Sequence, residues 1–561
     1  MTDEQTRMSR FTRRHFLSDL AAMSAATILA ACGNSSPTDT PKAATLGSAA
    51  GSASPVSSST GAQAATSPGV TTSRKQGGTL VAAGDALGDN FVPAVGFQGW
   101  ARVWVSDSIY DTLYTTRDLK TLIPSLALSN TVSSDGLVYI FKLRQGVKFH
   151  DGTPFNAAAV EFNYMRYIDK NHPFYDQNAI DRTNILTDVD TVKATDDYTV
   201  EVRRTKPNWS FPSLLTVASA GIMSPTAVKK YGVQDAGRNP VGTGPFVFEK
   251  AEKGNQASFT AFDEYWNGRP MLDRVVVRVI ADDQAMTASL LSGDVDITSF
   301  VDFKEVANFR KNAKLNVQVT PAASTGYMGV NQLHPTLKDV RVRQALTYAV
   351  DKQKIIDVIF YGEADIGAGL IPIPMSAYAP QFKDYNPHDP QKAKELLKEA
   401  GASPDLTLYT QNTSFWPRIA ELMQADFTAV GLKTQIQQID TAKFYSQMTE
   451  GNHQIFIGDS TYSTPNPDEL FWILYGVDQP RAKRWGYADP KFDALRSQEA
   501  AEQDPDKRKQ ILWDMQKMLL DTVVQVPNYY NRFVTVTNKR VEGYTAMPTR
   551  DMFLGKTSVS S

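Results

Sequence analysis

Between residues 33 and 78 the chain carries almost no large apolar side chain; Ser, Thr, Ala, Gly and Pro dominate the stretch. A segment of that composition cannot bury enough surface to offset its conformational entropy, so it reads as a flexible tether. Folded structure therefore has to lie beyond it. The chain has 561 residues, 42% of them hydrophobic, which is enough material for several packed cores. Cys32, at the near end of the tether, is the only cysteine, so no intramolecular disulfide can form and packing alone must hold the fold.

Ahead of the tether, Thr12-Arg13-Arg14-His15-Phe16-Leu17 precedes an apolar run from Leu20 to Ala31. A basic region before a short apolar run is an export signal, and this run is too short to span about 30 Å of hydrocarbon. The pair Arg13-Arg14 followed by Phe16-Leu17 resembles a twin-arginine signal. Leu29-Ala30-Ala31-Cys32 resembles a bacterial lipobox, in which Cys32 would become an acylated N-terminus. The reading is a signal over residues 1–31, a lipidated cysteine with its tether over 32–78, and a body outside the cytoplasm at the outer face of the cell membrane. No later stretch is long and apolar enough to cross a bilayer. Lys and Arg number 58 against 60 Asp and Glu, a net charge of -2 without the basic excess that a nucleic-acid partner requires.

The body alternates strand and helix signals. Tyr139, Phe141 and Leu143 keep a period of two, Val275–Ile280 is a β-branched run, and Phe246–Phe248 with Phe259–Phe262 predicts a hairpin. Asn156 predicts a helix cap. A long helix is expected from Asp339 to Ile359. Asp389-Pro390 and Asp504-Pro505 supply helix starts, and Gly401 a stop. The pattern is α/β with mixed sheets.

Catalytic spacing is missing. There is no Gly-x-Ser-x-Gly elbow, no His-Glu-x-x-His pair and no phosphate-cradling loop; Gly242-Thr243-Gly244 reads as a backbone bend. The six histidines show no metal-ligand spacing, so neither a metal nor a cofactor is expected. Asp282-Asp283 and Asp294/Asp296 fit caps and turns better than acid-base pairs. Trp100, Tyr327, Trp416, Tyr462 and Trp485 lie in irregular segments and suit pocket walls.

Three blocks carry a family resemblance. Asp135–Phe155 (DGLVYIFKLRQGVKFHDGTPF) resembles the signature of family 5 extracellular solute-binding proteins, the dipeptide, oligopeptide and nickel-binding group of ABC importers. Asn239–Phe246 followed by Tyr265-Trp266-Asn267-Gly268 is similar to a second family block, and Val340–Leu346 with Ala349-Val350-Asp351 to a third. They occur in family order. The resemblance implies a two-lobed type II periplasmic-binding-protein fold with an extra subdomain. By analogy lobe I takes 79–325 and 527–561, its subdomain about 112–238, and lobe II 326–526. The crossings would lie near Ala322–Tyr327, where Ala323-Ser324-Thr325-Gly326 reads as small and flexible, and near Val526–Tyr530.

The implied activity is capture, without chemistry, of a peptide or other small solute for the permease subunits of an ABC importer. The chain would be a monomer held to the membrane by its lipid. Expected cleft residues are Trp100, Tyr327, Asn331, Trp416, Asp459, Tyr462 and Ser463. One departure stands out: peptide-binding members place an aspartate, partner of the α-ammonium, where this chain has Ser463, and Asp459 lies four residues earlier. The rivals are an anchored hydrolase of cell-wall peptides or glycans, and a ligand sensor. Cys32→Ser is expected to move the protein from the membrane to the soluble fraction; a variant that still sediments with membranes removes the lipobox.

Overall fold

A computed structural model describes residues 77–560 except 89, 95–100, 180–184 and 414. The export signal, Cys32, nearly all of the tether and Trp100 lie outside the described residues. An eleven-stranded sheet runs through the body. At its centre two long strands, Leu315–Val330 and Gln525–Asn538, lie antiparallel. In one half of the sheet, Ser324–Val330 pairs on its other side with Ile455–Thr461, followed outward by Asp405–Gln411 and Lys433–Ile439. In the other half, Ile297–Thr298 flanks the second long strand and leads to Thr79–Gly84, Arg274–Val279 and the hairpin Phe246–Glu252/Gln256–Ala261. The two halves, each covered by helices, are the two lobes.

The register of the long pair slips between Pro321 and Thr325. Pro321 has no N–H to give to a ladder, which suits it to such a bulge. The small residues after it do not form a flexible link; Ala323-Ser324-Thr325-Gly326 is buried strand. Their size is a packing requirement, because a Cβ on Gly326 would lie 2.1 Å from the Tyr529 ring.

Local signals mostly decide the helices. Asn156 accepts from Ala159 N–H at 3.1 Å and starts Ala157–Ile168. Asp389 and Asp504 cap Pro390–Ala400 and Pro505–Thr522, and Gly401 ends the first of these with φ 60. The single helix expected from Asp339 to Ile359 is instead two, Val340–Ala349 and Lys352–Ile359. Asp351 breaks it: its Oδ1 accepts from Lys354 N–H at 3.0 Å while its own N–H is drawn to Asp426 Oδ2 at 3.0 Å.

The subdomain is a four-stranded antiparallel sheet, ordered Ala127–Val132, Val138–Leu143, Thr199–Arg204, Val189–Asp196, with Ala157–Ile168 packed against it. Its own core gathers Tyr139, Phe141, Phe149, Tyr164 and Phe211. Asp111 ties it to lobe I, accepting from Thr243 Oγ1 at 2.9 Å, Tyr265 OH at 3.0 Å and Trp266 Nε1 at 2.8 Å. Burial still pushes that carboxyl up to about 6. Gly242 and Gly244 are explained nearby, since a Cβ on Gly242 would lie 2.1 Å from the Ile109 carbonyl. Asp296 is structural as well: it is fully buried, accepts from Val81 N–H and pairs with Arg540 at 2.5 Å. The described body begins in lobe I, where Gly77 N–H meets the Met271 carbonyl at 2.7 Å and Gly78 N–H meets Asp273 at 3.0 Å. The last strand, Ser558–Val559, pairs with Val541–Glu542, and a Cβ on Gly78 would lie 2.7 Å from the Val559 side chain.

Gly326→Ala should displace the Tyr529 ring and cost about 1–3 kcal/mol, read as a lower urea midpoint. In lobe II, burial holds the His453 imidazole down at about 4 while its Nε2 donates to the Arg484 carbonyl at 2.8 Å. The unfolded chain takes up that proton near 6.5, before the native one does. Stability should therefore fall as pH drops from about 6.5 to about 4, by up to ~3 kcal/mol from this residue, and His453→Gln should flatten that part of the profile.

Candidate functional site

Two groups of parallel strands aim their carboxyl ends at one region. In lobe I these are Thr79–Gly84, Arg274–Val279 and Ile297–Thr298; in lobe II they are Asp405–Gln411 and Ile455–Thr461. Side chains at or just beyond such ends border the crevice outside the sheet edge, the usual place for ligands in α/β folds. Asp85, Ile280, Ser299, Gln411, Asp459 and Thr461 hold those positions, and all of them line one cavity of about 590 Å³. The volume is that of a small-molecule or short-peptide pocket. Ser324 and Asn531, from the two long strands, line it as well.

Both lobes build the walls. Lobe I contributes Phe300, Phe533 and Arg550; lobe II contributes Phe415, Trp416, Tyr445 and Asp459. Arg550 is held by several neighbours. Its guanidinium lies over the Phe533 ring at 4.1 Å and the Phe300 ring at 4.7 Å, and its carbonyl accepts from Trp104 Nε1 at 2.9 Å. Its φ of 63 is a left-handed conformation that arginine rarely adopts, a strain often found where a side chain must be aimed. Burial lowers its pKa to about 10, and Asp85 and Asp459 pull the other way.

Asp459 answers from lobe II. Its backbone pairs opposite Gly326, and its Oδ1 accepts from Tyr445 OH at 3.3 Å. Burial raises this carboxyl above its ordinary range, opposed by the Tyr445 bond and by the charge of Arg550. Two other charges on the wall are already committed: Arg532 makes a two-pronged pair with Asp365, and Asp302 pairs with Lys304 at 2.7 Å. Arg418 is exposed on the lobe II side, and among the described residues its one hydrogen bond goes to the Val358 carbonyl at 3.5 Å.

The structure brings together two of the residues expected from sequence, Trp416 and Asp459. Tyr327, Asn331 and Tyr462 do not line the cavity. Tyr327 is 1% exposed and packs edge-on against Phe456 and tilted against Trp485 in the lobe II core. Trp485 is wholly buried there too. Asn331 Nδ2 is used by the Gly451 and His453 carbonyls, both at 2.9 Å, and Tyr462 OH by the Leu370 carbonyl at 2.9 Å. Ser463 is exposed but is not among the lining residues. Arg550, Phe300 and Phe533 were missed. Asp85 was also missed, although its place just after the Thr79–Gly84 strand was a usable signal.

Among the described residues no cluster of three or more His, Cys, Asp or Glu is placed to hold a metal, and no helix is long and apolar enough to cross a membrane.

Known proteins share this architecture. The dipeptide-binding protein of Escherichia coli (strain K12) is 29% identical over 500 residues, covering 84% of this chain and 93% of the relative. The glutathione-binding protein GsiB of Escherichia coli O1:K1 / APEC is 29% identical over 459 residues, covering 79% of this chain and 87% of its own. Among solved structures, the ABC transporter-associated periplasmic binding protein DppA from Helicobacter pylori in complex with peptide STSA superposes with a TM-score of 0.77 at 25% identity, covering 87% of this chain and 99% of that one. The family model of bacterial extracellular solute-binding proteins, family 5 Middle, matches residues 121–481, and the chain belongs to that family.

Proposed function

We propose that the chain is the capture subunit of an ABC importer and holds a short peptide or peptide-like solute between its lobes. The observation that carries this reading is one cavity walled from both lobes, with Arg550 on one side and Asp459 on the other. A solute touching both walls favours the closed arrangement in proportion to its differential affinity for it. Opposite charges on opposite walls suit a solute with both an anionic and a cationic end. Asp459 would take the ammonium, the part played in peptide-binding members by the residue that Ser463 replaces. Arg550 or Arg418 would take a carboxylate. Phe415 and Trp416 offer apolar faces that tolerate varied side chains. The named ligands of the relatives, a dipeptide, glutathione and the peptide STSA, share this chemistry.

The lobe division proposed from sequence, 79–325 with 527–561 against 326–526, draws support from the register slip between Pro321 and Thr325. The lipobox-like Leu29–Cys32 supports an anchor at the outer face of the cell membrane, from which a tethered body would reach a permease.

Calorimetry with di- and tripeptides and glutathione should show one-to-one binding. Trp416→Ala should weaken it about tenfold, ~1.4 kcal/mol, and N-acetylation of the best peptide should weaken it in the native chain but not further in Asp459→Asn. Equal affinity of Trp416→Ala and the native chain would remove that residue from the site. Release of a chemically altered ligand would overturn the capture reading.

A further inference from the structure

The subdomain touches lobe II at a second place, apart from the crossing strands. The segment after the last subdomain strand, Thr205–Ser210, reaches helix Pro490–Ala501, where Trp209 N–H donates to the Ala500 carbonyl at 3.0 Å. Beside it Asn466 Nδ2 donates to Ser210 Oγ at 2.6 Å and to Glu499 Oε1 at 3.3 Å. The segment is stiffened from its own side. Tyr139 OH donates to the Asn208 carbonyl at 2.6 Å, and Asn208 Oδ1 accepts from Ser210 N–H at 3.0 Å and Ser210 Oγ at 2.7 Å. Gly136 leaves room for it, since a Cβ there would come within 3.1 Å of Pro207 and the Trp209 indole nitrogen.

Charged groups are buried at this contact. Arg204 is 5% exposed, Asp468 7% and Glu499 0%. Among the described residues, Asp468 Oδ1 and Glu499 Oε2 meet no hydrogen-bond donor. The groups facing this carboxyl pair come from three elements. Arg204 faces it from the subdomain, with Asp188 and Tyr139 behind; Arg496 and Asp493 belong to helix Pro490–Ala501; Arg508 belongs to helix Pro505–Thr522.

We propose that Pro207–Ser210 is a latch that seats on lobe II when the cleft closes, and that the carboxyl pair beneath it makes closure acid-favoured. Burial pushes Asp468 up to about 6, against the pull of Arg496 and Arg204. Burial and the neighbouring Asp468 raise Glu499 well above its ordinary value, against Arg508 and Arg496. With the latch lifted, water would return and both values would fall toward those of ordinary carboxylates, near about 4. The latched form therefore holds more protons. Latching strengthens as pH falls through about 6 and gains nothing more below about 4, where the open form is protonated too. The ceiling is about tenfold per pH unit for each proton.

The inference rests on reading the cleft as a clamp, but its test needs no ligand, so a wrong ligand class would leave the result standing. Hydrogen exchange read by mass spectrometry on the ligand-free full chain, corrected for the intrinsic pH dependence, reports the Trp209 amide directly. Its protection should rise several-fold from pH 7.5 to pH 5. Asp468→Asn combined with Glu499→Gln should flatten that rise. Asn466→Ala should lower Trp209 protection several-fold while Val138–Leu143 and Thr199–Arg204 keep theirs, showing the subdomain intact. Protection that does not change with pH in the native chain overturns the acid-favoured latch, whether or not either variant folds. Protection untouched by Asn466→Ala overturns the latch itself.

Discussion

The antiparallel pairing of Leu315–Val330 with Gln525–Asn538 is the interaction on which the rest of the molecule depends. Each strand spends one end in each lobe, so both halves of the sheet are built on a shared two-stranded spine. The pairing sets where the parallel strands of the two lobes end, and hence where the cavity opens. The slips between Pro321 and Thr325 and between Gly326 and Tyr327 are local interruptions of this ladder. Bulges of this kind bend and twist the strand that carries them.

The cavity follows from this arrangement more than from any one motif. Its walls are residues that each lobe places at or just beyond its own strand ends, and the spine brings the two sets face to face. Arg550 shows how much holding one such residue needs: two aromatic rings beside the guanidinium, an indole on the carbonyl and a left-handed backbone. A side chain fixed in this way offers its charge with little reorganisation on binding. Asp459, steadied by Tyr445, presents the opposite charge from the other lobe.

Features decided by near neighbours in sequence were readable. Asn156, Asp389-Pro390, Asp504-Pro505 and Gly401 end helices where their chemistry says they should, and the Phe246–Ala261 hairpin keeps its alternation. The long central strand was harder. From Ala322 to Val330 every residue is buried, because both faces of the strand are covered, so no period of two survives. Its run of small residues looks like a flexible hinge until the Tyr529 ring beneath Gly326 is seen. The same difficulty affected the site. Tyr327, Tyr462 and Trp485 stand in irregular sequence because they pack a core contributed by many segments, and irregularity alone could not separate that from a pocket wall. Arg550 was illegible for the opposite reason: its meaning depends on contact with Trp104, 446 positions away.

Gly77 and Gly78 sit under Met271, Asp273 and the final strand, so the point where the polar segment enters the body is stitched into lobe I. Lobe II receives none of these contacts; it is joined to the rest of the body by the spine, by the Trp209–Ala500 and Ser210–Asn466 bonds of the subdomain, and by the Arg310–Glu363 pair. Whatever holds the chain at its N-terminal side therefore grips only one jaw. A pull on that segment is therefore delivered to lobe I first and reaches lobe II only through the spine and the contacts that bridge the two halves.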